Sequence, residues 1–126
     1  MRNESLLQES LTNYELKCVP VIVNGIKGRG TGKKTAITNT QIQKAMEKRD
    51  FHNLTGSRIR KIISHIRNNN LLPLLCANSN GYYIAGSLDE FNDFINTFEK
   101  RVNTQLKTLD ELKSQRQHFI QTKMSL

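Results

Sequence analysis

The sequence is poor in the features that mark secreted, membrane-spanning or disulfide-stabilised proteins. Its 126 residues contain two cysteines, and no apolar run approaches the 18 residues of a membrane-spanning helix. The first segment, "MRNESLLQESL", lacks the apolar stretch of a secretory signal peptide. Cys18 and Cys76 both lie in apolar surroundings, which favours reduced core side chains over a disulfide. We therefore expect a cytoplasmic protein that does not associate with membranes.

Patterns typical of catalysis or metal binding are also missing. His52, His65 and His118 are scattered, and together with the cysteines they lack the spacing of metal ligands. No Ser/His/Asp arrangement and no pair of carboxylates suited to acid–base chemistry can be assigned. We expect no enzymatic activity, no cofactor and no metal.

The stretch "NGIKGRGTGKKTAIT", residues 24 to 38, looks at first like the phosphate-binding loop of a nucleotide hydrolase. That loop requires Gly, four residues, Gly, Lys, and then Ser or Thr. Here Gly32 and Lys33 are followed by Lys34, and Lys27 stands where the first Gly belongs. The mismatch argues against nucleotide hydrolysis. The composition instead predicts a flexible basic loop that contacts backbone phosphates of a nucleic acid.

Acidic residues are scarce in one third of the chain, and this scarcity locates the positive charge. The net charge is +8, and residues 27 to 67 hold eleven basic residues against two acidic ones. Residues 68 to 126 balance six basic with six acidic residues. An excess confined to one segment suggests a face that binds a polyanion, and nucleic acid is the leading partner.

The order of elements predicts a mainly α-helical α+β fold. After a lead-in over residues 1 to 13, "YELKCVPVIVNGIKG" leaves two alternatives open. Its β-branched residues favour a strand, whereas Pro20 favours the start of a short helix ending at Gly25. A helix capped by Thr38 or Thr40 follows. A second helix, residues 57 to 68, starts at a cap provided by Thr55 or Ser57.

The segment after this helix changes period and predicts a β-hairpin over residues 73 to 85. Asn80 and Gly81 form its strongest turn signal, because both tolerate positive φ. Tyr82 and Tyr83 alternate along the second strand, so one is expected in the core and the other on the surface.

Residues 87 to 126 predict one long helix that begins at a capping box of Ser87 and Glu90. Its apolar residues follow a coiled-coil spacing, which a small domain cannot bury entirely. We therefore expect a homodimer. The residues assigned to dimerisation are Phe98, Val102, Leu109 and Leu112.

Helix, short break, basic helix and hairpin follow one another as in a winged helix-turn-helix, whose second helix lies in the DNA major groove. If the isoleucines of residues 57 to 68 face the core, Ser57, Lys61, Ser64 and Asn68 point directly outward. No acid lies on that face. The predicted DNA-binding residues are Ser57, Arg58, Arg60, Lys61, Ser64, His65, Arg67 and Asn68 on the helix, Asn78, Ser79 and Asn80 on the wing, and Lys27, Arg29, Lys33 and Lys34 in the loop.

The segment "TGSRIRKIISHIRNNNLLPLLCANSNGYYIAGSLDEFNDFINTFEKRV", residues 55 to 102, resembles winged-helix modules of phage and mobile-element proteins. It is also similar to the C-terminal winged helix of methyl-directed restriction endonucleases. The shared pattern is a basic "IRKIISHIR" helix, a Pro before an apolar strand, "SNGYYIA", and an acidic-capped helix. The resemblance implies DNA binding through residues 57 to 68 and the wing, and it makes "CVPVIVNG" the first core helix.

Two hypotheses follow from these patterns. The first is a dimeric protein that binds double-stranded DNA in transcription regulation or DNA replication of a phage or mobile element. The second is a protein-interaction module whose long helix docks onto a larger replication or regulatory protein. RNA binding belongs to the first class, and charge alone does not separate it from DNA binding.

Overall fold

A computed structural model describes residues 10 to 125, with side chains through Lys123. The chain is mainly helical, with one two-stranded antiparallel sheet and a long C-terminal helix, which confirms the expected α+β class at this level. Residues 1 to 9, most of the predicted lead-in, lie outside the described part. The elements are α1 (Asn13–Gly28), a 3₁₀ turn (Lys33–Thr35), α2 (Asn39–Glu47), α3 (Gly56–Asn68), β1 (Leu75–Asn78), β2 (Gly81–Ile84) and α4 (Leu88–Ser125).

The first helix decides the alternative that the sequence left open. α1 starts seven residues before Pro20, because Thr12 and Glu15 form a capping box: the Thr12 hydroxyl accepts from the Glu15 N–H at 3.1 Å, and the Glu15 carboxylate accepts from the Thr12 N–H at 2.9 Å. Both the strand and the short helix opened by Pro20 are therefore wrong. Pro20 is an exposed residue inside the helix. Burial of a helical stripe outweighs the β propensity of the segment. That stripe consists of Cys18, Val19, Ile22 and Ile26.

The segment that was expected to be a flexible loop is largely structured. Residues 24 to 28 form the last turn of α1, and the chain after them is hydrogen-bonded to the hairpin. The Gly32 N–H donates to the Ile84 carbonyl at 2.7 Å, and Ile37 exchanges backbone hydrogen bonds with Tyr82 at 2.9 and 2.8 Å. A short extended piece at Ile37 thus lies beside β2.

The predicted starts of α2 and α3 are resolved in favour of the earlier residue in each case. Thr38 caps α2 in a capping box with Gln41, and the Thr55 hydroxyl accepts from the Arg58 N–H at 3.2 Å to cap α3. The stripe predicted on α3 is confirmed, since all of its isoleucines are buried, and both cysteines are free and buried as expected. The buried isoleucines are Ile59, Ile62, Ile63 and Ile66.

The hairpin forms where it was predicted, but its turn differs in detail. Asn78 pairs with Gly81, so Ser79 and Asn80 are the two central residues, and of the predicted Asn80–Gly81 pair only Gly81 has positive φ, at 122°. A Cβ at Gly81 would collide with the Ile37 carbonyl, which explains why glycine is needed there. Tyr83 is buried, as predicted for one of the two tyrosines, but Tyr82 is half-buried against the core and does not lie on the surface as predicted for the other.

The last helix starts at the predicted position and is 38 residues long. The Ser87 hydroxyl accepts from the Glu90 N–H at 3.1 Å, but the Glu90 carboxylate accepts from Gly86 at 2.8 Å and not from Ser87. Half of the predicted capping box is therefore present. The chain divides into two units, Met1–Phe91 and Asn92–Leu126. No helix within the described residues combines the length and apolar content required to cross a bilayer.

Candidate nucleic-acid interface

The outward side of α3 carries polar and basic side chains and no acid. Ser57, Arg60, Ser64 and Asn68 are exposed there, each about one helical turn from the next. α3 presents this side to solvent because its four buried isoleucines occupy the opposite side. Hydroxyl, guanidinium and amide groups in this spacing are donors and acceptors suited to base edges and phosphates.

Two basic residues predicted for the same surface are turned toward α1. The Arg58 Nε lies 2.7 Å from Glu15 Oε2, and the Lys61 Nζ lies 2.9 Å from Glu15 Oε1. The Glu15 side chain is only 1% exposed. The prediction that Lys61 points directly outward is wrong, because its flexible side chain bends over the shoulder of α3 to reach this carboxylate. Arg58 also donates to the Asn53 carbonyl at 3.0 Å and lies over the Tyr14 ring at 5.5 Å.

The Glu15 carboxylate is ionised in this setting. Burial alone would raise its pKa, but hydrogen bonds from Arg58, the Thr12 backbone and Lys61, together with the Lys61 charge, lower the pKa to about 2. One negative charge therefore offsets part of the two positive ones. The spacing of Thr12 and Glu15 is the one sequence signal for Glu15, and it indicates a helix cap. It does not indicate the ion pairs with Arg58 and Lys61, which lie 43 and 46 positions later in the sequence.

The other shoulder of α3 is on the same side as β2 and the start of α2. The Tyr82 hydroxyl donates to the Asn39 side-chain oxygen at 2.8 Å. Burial raises the pKa of Tyr82, while Asn39, Arg60 and Arg67 act in the opposite direction. The influence of both arginines means that their positive charges lie near this phenol. Arg67 is itself half-buried, and burial lowers its pKa.

His65 occupies the shoulder nearer to Arg58 and is also half-buried. Its Nδ1 lies 3.3 Å from the Asn69 side-chain nitrogen, one helical turn further along. This contact ties His65 to the end of α3. The ring therefore lies at the edge of the exposed polar side and not at its centre.

The predicted wing residues lie together at the tip of the hairpin. Asn78, Ser79 and Asn80 are all exposed, and the Asn80 N–H donates to the Asn78 side chain at 2.7 Å. This hydrogen bond orders the turn, whereas Ser79 at the tip stays open to solvent.

The four basic residues of the segment before α2 have different roles. Arg29 donates to the Thr35 carbonyl at 2.7 Å and to the Ala36 carbonyl at 3.3 Å. Its guanidinium therefore links the start of this segment to its end. Lys33 and Lys34 are exposed on the 3₁₀ turn, in the segment that is hydrogen-bonded to β2. Lys27 is exposed on the last turn of α1.

We use the term basic face collectively for the exposed residues of α3, the hairpin tip and the 3₁₀ turn, of which Arg60, Lys33 and Lys34 are basic. Its members are Ser57, Arg60, Ser64, Asn68, Asn78, Ser79, Asn80, Lys33 and Lys34. The positions predicted for DNA binding but outside this set are Arg58, Lys61 and Arg29, which make intramolecular contacts, the half-buried His65 and Arg67, and Lys27 on α1.

A separate groove of about 230 Å³ lies between α1 and α2. Its lining is mainly apolar, with Arg29 and Arg49 as its charged members, and contains no acid, histidine or cysteine. Among residues 10 to 125, no group of three or more His, Cys, Asp or Glu side chains is arranged to hold a metal ion. The groove thus offers an apolar surface and two cations.

The residues predicted for dimerisation lie along α4. Phe98, Val102, Leu109 and Leu112 are between 37% and 56% exposed, which is high for side chains of this size.

No family model matches the chain, and neither the curated proteins nor the solved structures compared with it gave a match. The likeness to winged-helix modules of phages and restriction endonucleases therefore stays a prediction.

Proposed function

We propose that residues 10 to 91 form a winged helix-turn-helix that binds double-stranded DNA, with α3 as the recognition helix and the β1–β2 hairpin as the wing. The element order supports this proposal. The extended piece at Ile37 adds to it, because this piece lies between α1 and α2 in the chain and pairs with β2. Three helices and a small sheet of this connectivity are what a winged helix requires.

The observation that carries the proposal is the distribution of charge around α3. The exposed side of α3 has no acid. Glu15, which contacts α3 from α1, is buried beside Arg58 and Lys61, on the side of α3 away from Arg60. A phosphate backbone approaching α3 therefore meets Arg60 without a neighbouring carboxylate on that helix. Lys33 and Lys34 add two exposed cations on the 3₁₀ turn, where the Lys33 N–H donates to the Glu90 carboxylate at 3.4 Å. Such an arrangement favours a polyanion over a neutral or basic partner.

A fluorescence-anisotropy titration of labelled duplexes at several salt concentrations tests this proposal. Binding is expected to weaken linearly on a log–log plot of affinity against salt, because each phosphate contact releases counterions. An equal-length RNA duplex as competitor separates DNA from RNA binding. If no duplex binds at low salt, the proposed function is wrong.

We propose further that the protein is a homodimer through α4, because the exposed apolar side chains of this helix lack cover within the described chain. The same observation favours a second candidate, in which α4 docks onto a larger replication or regulatory protein. Sedimentation of the purified protein distinguishes them, since the homodimer forms without any other component. Transcription regulation or DNA replication in a phage or mobile element is the role that the resemblance of residues 55 to 102 implies.

A further inference from the structure

The apolar stripe of α4 has a defined heptad register. Two series of residues, each spaced by seven, form the seam of a coiled coil at the positions termed a and d. The a series is Ile95, Val102, Leu109 and Arg116, and the d series is Phe98, Gln105, Leu112 and Phe119. The apolar members of both series are exposed along α4, which gives a stripe that covers seven turns of helix.

The flanks of this seam carry an uneven set of charges. The residues that directly follow Phe98, Gln105 and Leu112 form one flank of the seam, and they are Glu99, Leu106 and Lys113. Leu106 lies seven residues from the acid and seven from the base. Among the described residues, neither Glu99 nor Lys113 has an ion-pair partner in its own chain. These two charges are therefore available to a second helix.

A parallel pair of α4 helices would leave these charges without complements. In that orientation each residue of this flank faces a residue of the partner's opposite flank that lies five positions earlier in the sequence. Glu99 would then face the partner's Phe94, and Lys113 would face the partner's Thr108. Arg116, a seam residue, would face its own copy, which places two like charges in the core of the pair.

We infer that α4 pairs with α4 of a second copy in the antiparallel orientation, with Val102 against the partner's Leu112. Reversing one helix brings equivalent flanks together. Glu99 then lies beside the partner's Lys113, Lys113 lies beside the partner's Glu99, and Leu106 meets its own copy between them. This alignment satisfies both flank charges twice.

Three of the four seam contacts agree with the same alignment, and in the fourth Gln105 faces the partner's Leu109. Ile95 faces the partner's Phe119, and Arg116 faces the partner's Phe98 beside the partner's Glu99. A guanidinium next to a ring and a carboxylate is favourable, whereas two facing guanidinium groups are not. A shift of either helix by one heptad removes the contacts between Glu99 and Lys113.

The antiparallel alignment overlaps the whole of α4. Because the helix has 38 residues, its two N-terminal ends lie about 55 Å apart in the pair. This inference rests on the proposed homodimer. It implies that the two proposed DNA-binding units are attached at opposite ends of the paired helices.

Charge reversal tests the pairing of the flanks. Glu99→Lys in the full chain places two lysines face to face at both ends of the seam, and the dimer dissociation constant is expected to rise roughly tenfold. Glu99→Lys combined with Lys113→Glu restores the wild-type constant. Glu111→Lys makes the same charge change away from the seam and is expected to change the constant less than about twofold. Failure of the double variant to restore dimerisation would overturn the alignment.

Distances between spin labels test the orientation directly. Gln121→Cys is labelled with a nitroxide, while the buried Cys18 and Cys76 are protected from labelling. Antiparallel helices predict a separation of roughly 45 Å between the labels, and parallel helices predict roughly 20 Å. Mixing chains labelled at Asp93→Cys with chains labelled at Gln121→Cys reverses the two expectations. A short distance between Gln121 labels refutes the inference, whereas a monomer in sedimentation refutes the homodimer itself, and DNA binding is measured separately from both.

Discussion

The carboxylate of Glu15 lies 2.7 Å from the guanidinium of Arg58, and this contact joins the start of α1 to the first turn of α3. Lys61 completes the cluster at 2.9 Å. The position of α3 against α1 therefore depends on a buried acid as well as on the isoleucine core. Because α3 carries Ser57, Arg60, Ser64 and Asn68 of the basic face, Glu15 is expected to affect DNA binding only through the placement of this helix.

Glu15→Gln is expected to destabilise the protein by about 3 kcal/mol at neutral pH, since it leaves Arg58 and Lys61 without their counter-charge in a partly buried site. Urea unfolding measures this difference. Glu47→Gln, at the exposed end of α2, is the matched control and is expected to change stability by less than about 0.5 kcal/mol. Equal effects of the two substitutions would contradict the role of the cluster.

The pH dependence of stability follows from the same carboxylate. The pKa of Glu15 in the folded chain is about 2, below its ordinary value of 4.5. Its contribution to the free energy of unfolding is therefore fully present above about pH 5 and is lost as the pH falls toward 2. The loss amounts to about 3–4 kcal/mol, at about 1.4 kcal/mol for each of the roughly 2.5 pKa units. Glu15→Gln should flatten the stability profile in this interval, as followed by urea unfolding at each pH.

Arg60 and Lys61 are adjacent in sequence but are expected to differ in DNA binding. Arg60→Met removes an exposed cation of the basic face, so the affinity for DNA should fall about tenfold. The slope of log affinity against log salt concentration should become smaller in magnitude by about one. Lys61→Met should leave the slope unchanged, because Lys61 is engaged with Glu15. Anisotropy titrations at four salt concentrations measure both quantities. A lower slope for Lys61→Met than for Arg60→Met would show that Lys61 turns toward the phosphates.

Gly81→Ala should destabilise the fold by about 2 kcal/mol or more, because the residue has a φ of 122° and an added Cβ meets the Ile37 carbonyl. Gly25→Ala provides the contrast. A Cβ at Gly25 meets nothing within 4 Å inside α1. Gly25→Ala is therefore expected to raise the free energy of unfolding by about 0.5–1 kcal/mol. Thermal unfolding of both variants checks the pair, and a neutral Gly81→Ala would contradict the close approach of Ile37 to β2.

The homodimer predicts that Leu112→Lys, in the seam of α4, lowers the dimer affinity at least tenfold, because a charge would replace an apolar side chain in the interface. Ser114→Lys, on the opposite side of the helix, should leave the affinity unchanged. Sedimentation velocity over a dilution series measures both. If the two variants sediment alike, the stripe does not form the dimer interface.

Much of the fold could be predicted from the sequence where local signals and burial agree. The period of α3, its cap at Thr55 and the hairpin turn all depend on residues close together in the chain. Local signals leave α1 undecided because β-branched residues and Pro20 contradict the helix, whereas its cap at Thr12 and its buried stripe favour it. The helix that the resemblance implies at "CVPVIVNG" is present. Only the packed core decides between these preferences.

The candidate interface shows the same division. A helical wheel identifies the side of α3 that faces away from the core, and Ser57, Ser64 and Asn68 are exposed there as predicted. The wheel says nothing about where a long side chain ends. Lys61 was misplaced because its partner, Glu15, lies 46 residues earlier in the sequence. Arg29 also donates within the chain, to the carbonyls of Thr35 and Ala36, an arrangement that exists only once the 3₁₀ turn has formed.

An NMR titration of the ¹⁵N-labelled protein with a short duplex shows whether the basic face binds double-stranded DNA. We predict that the largest amide shifts occur at Ser57, Arg60 and Ser64 on α3 and at Ser79 on the hairpin tip. The amides of α1 around Lys17 should move little. The absence of amide shifts with any duplex, or shifts confined to α4, would contradict DNA binding by the basic face.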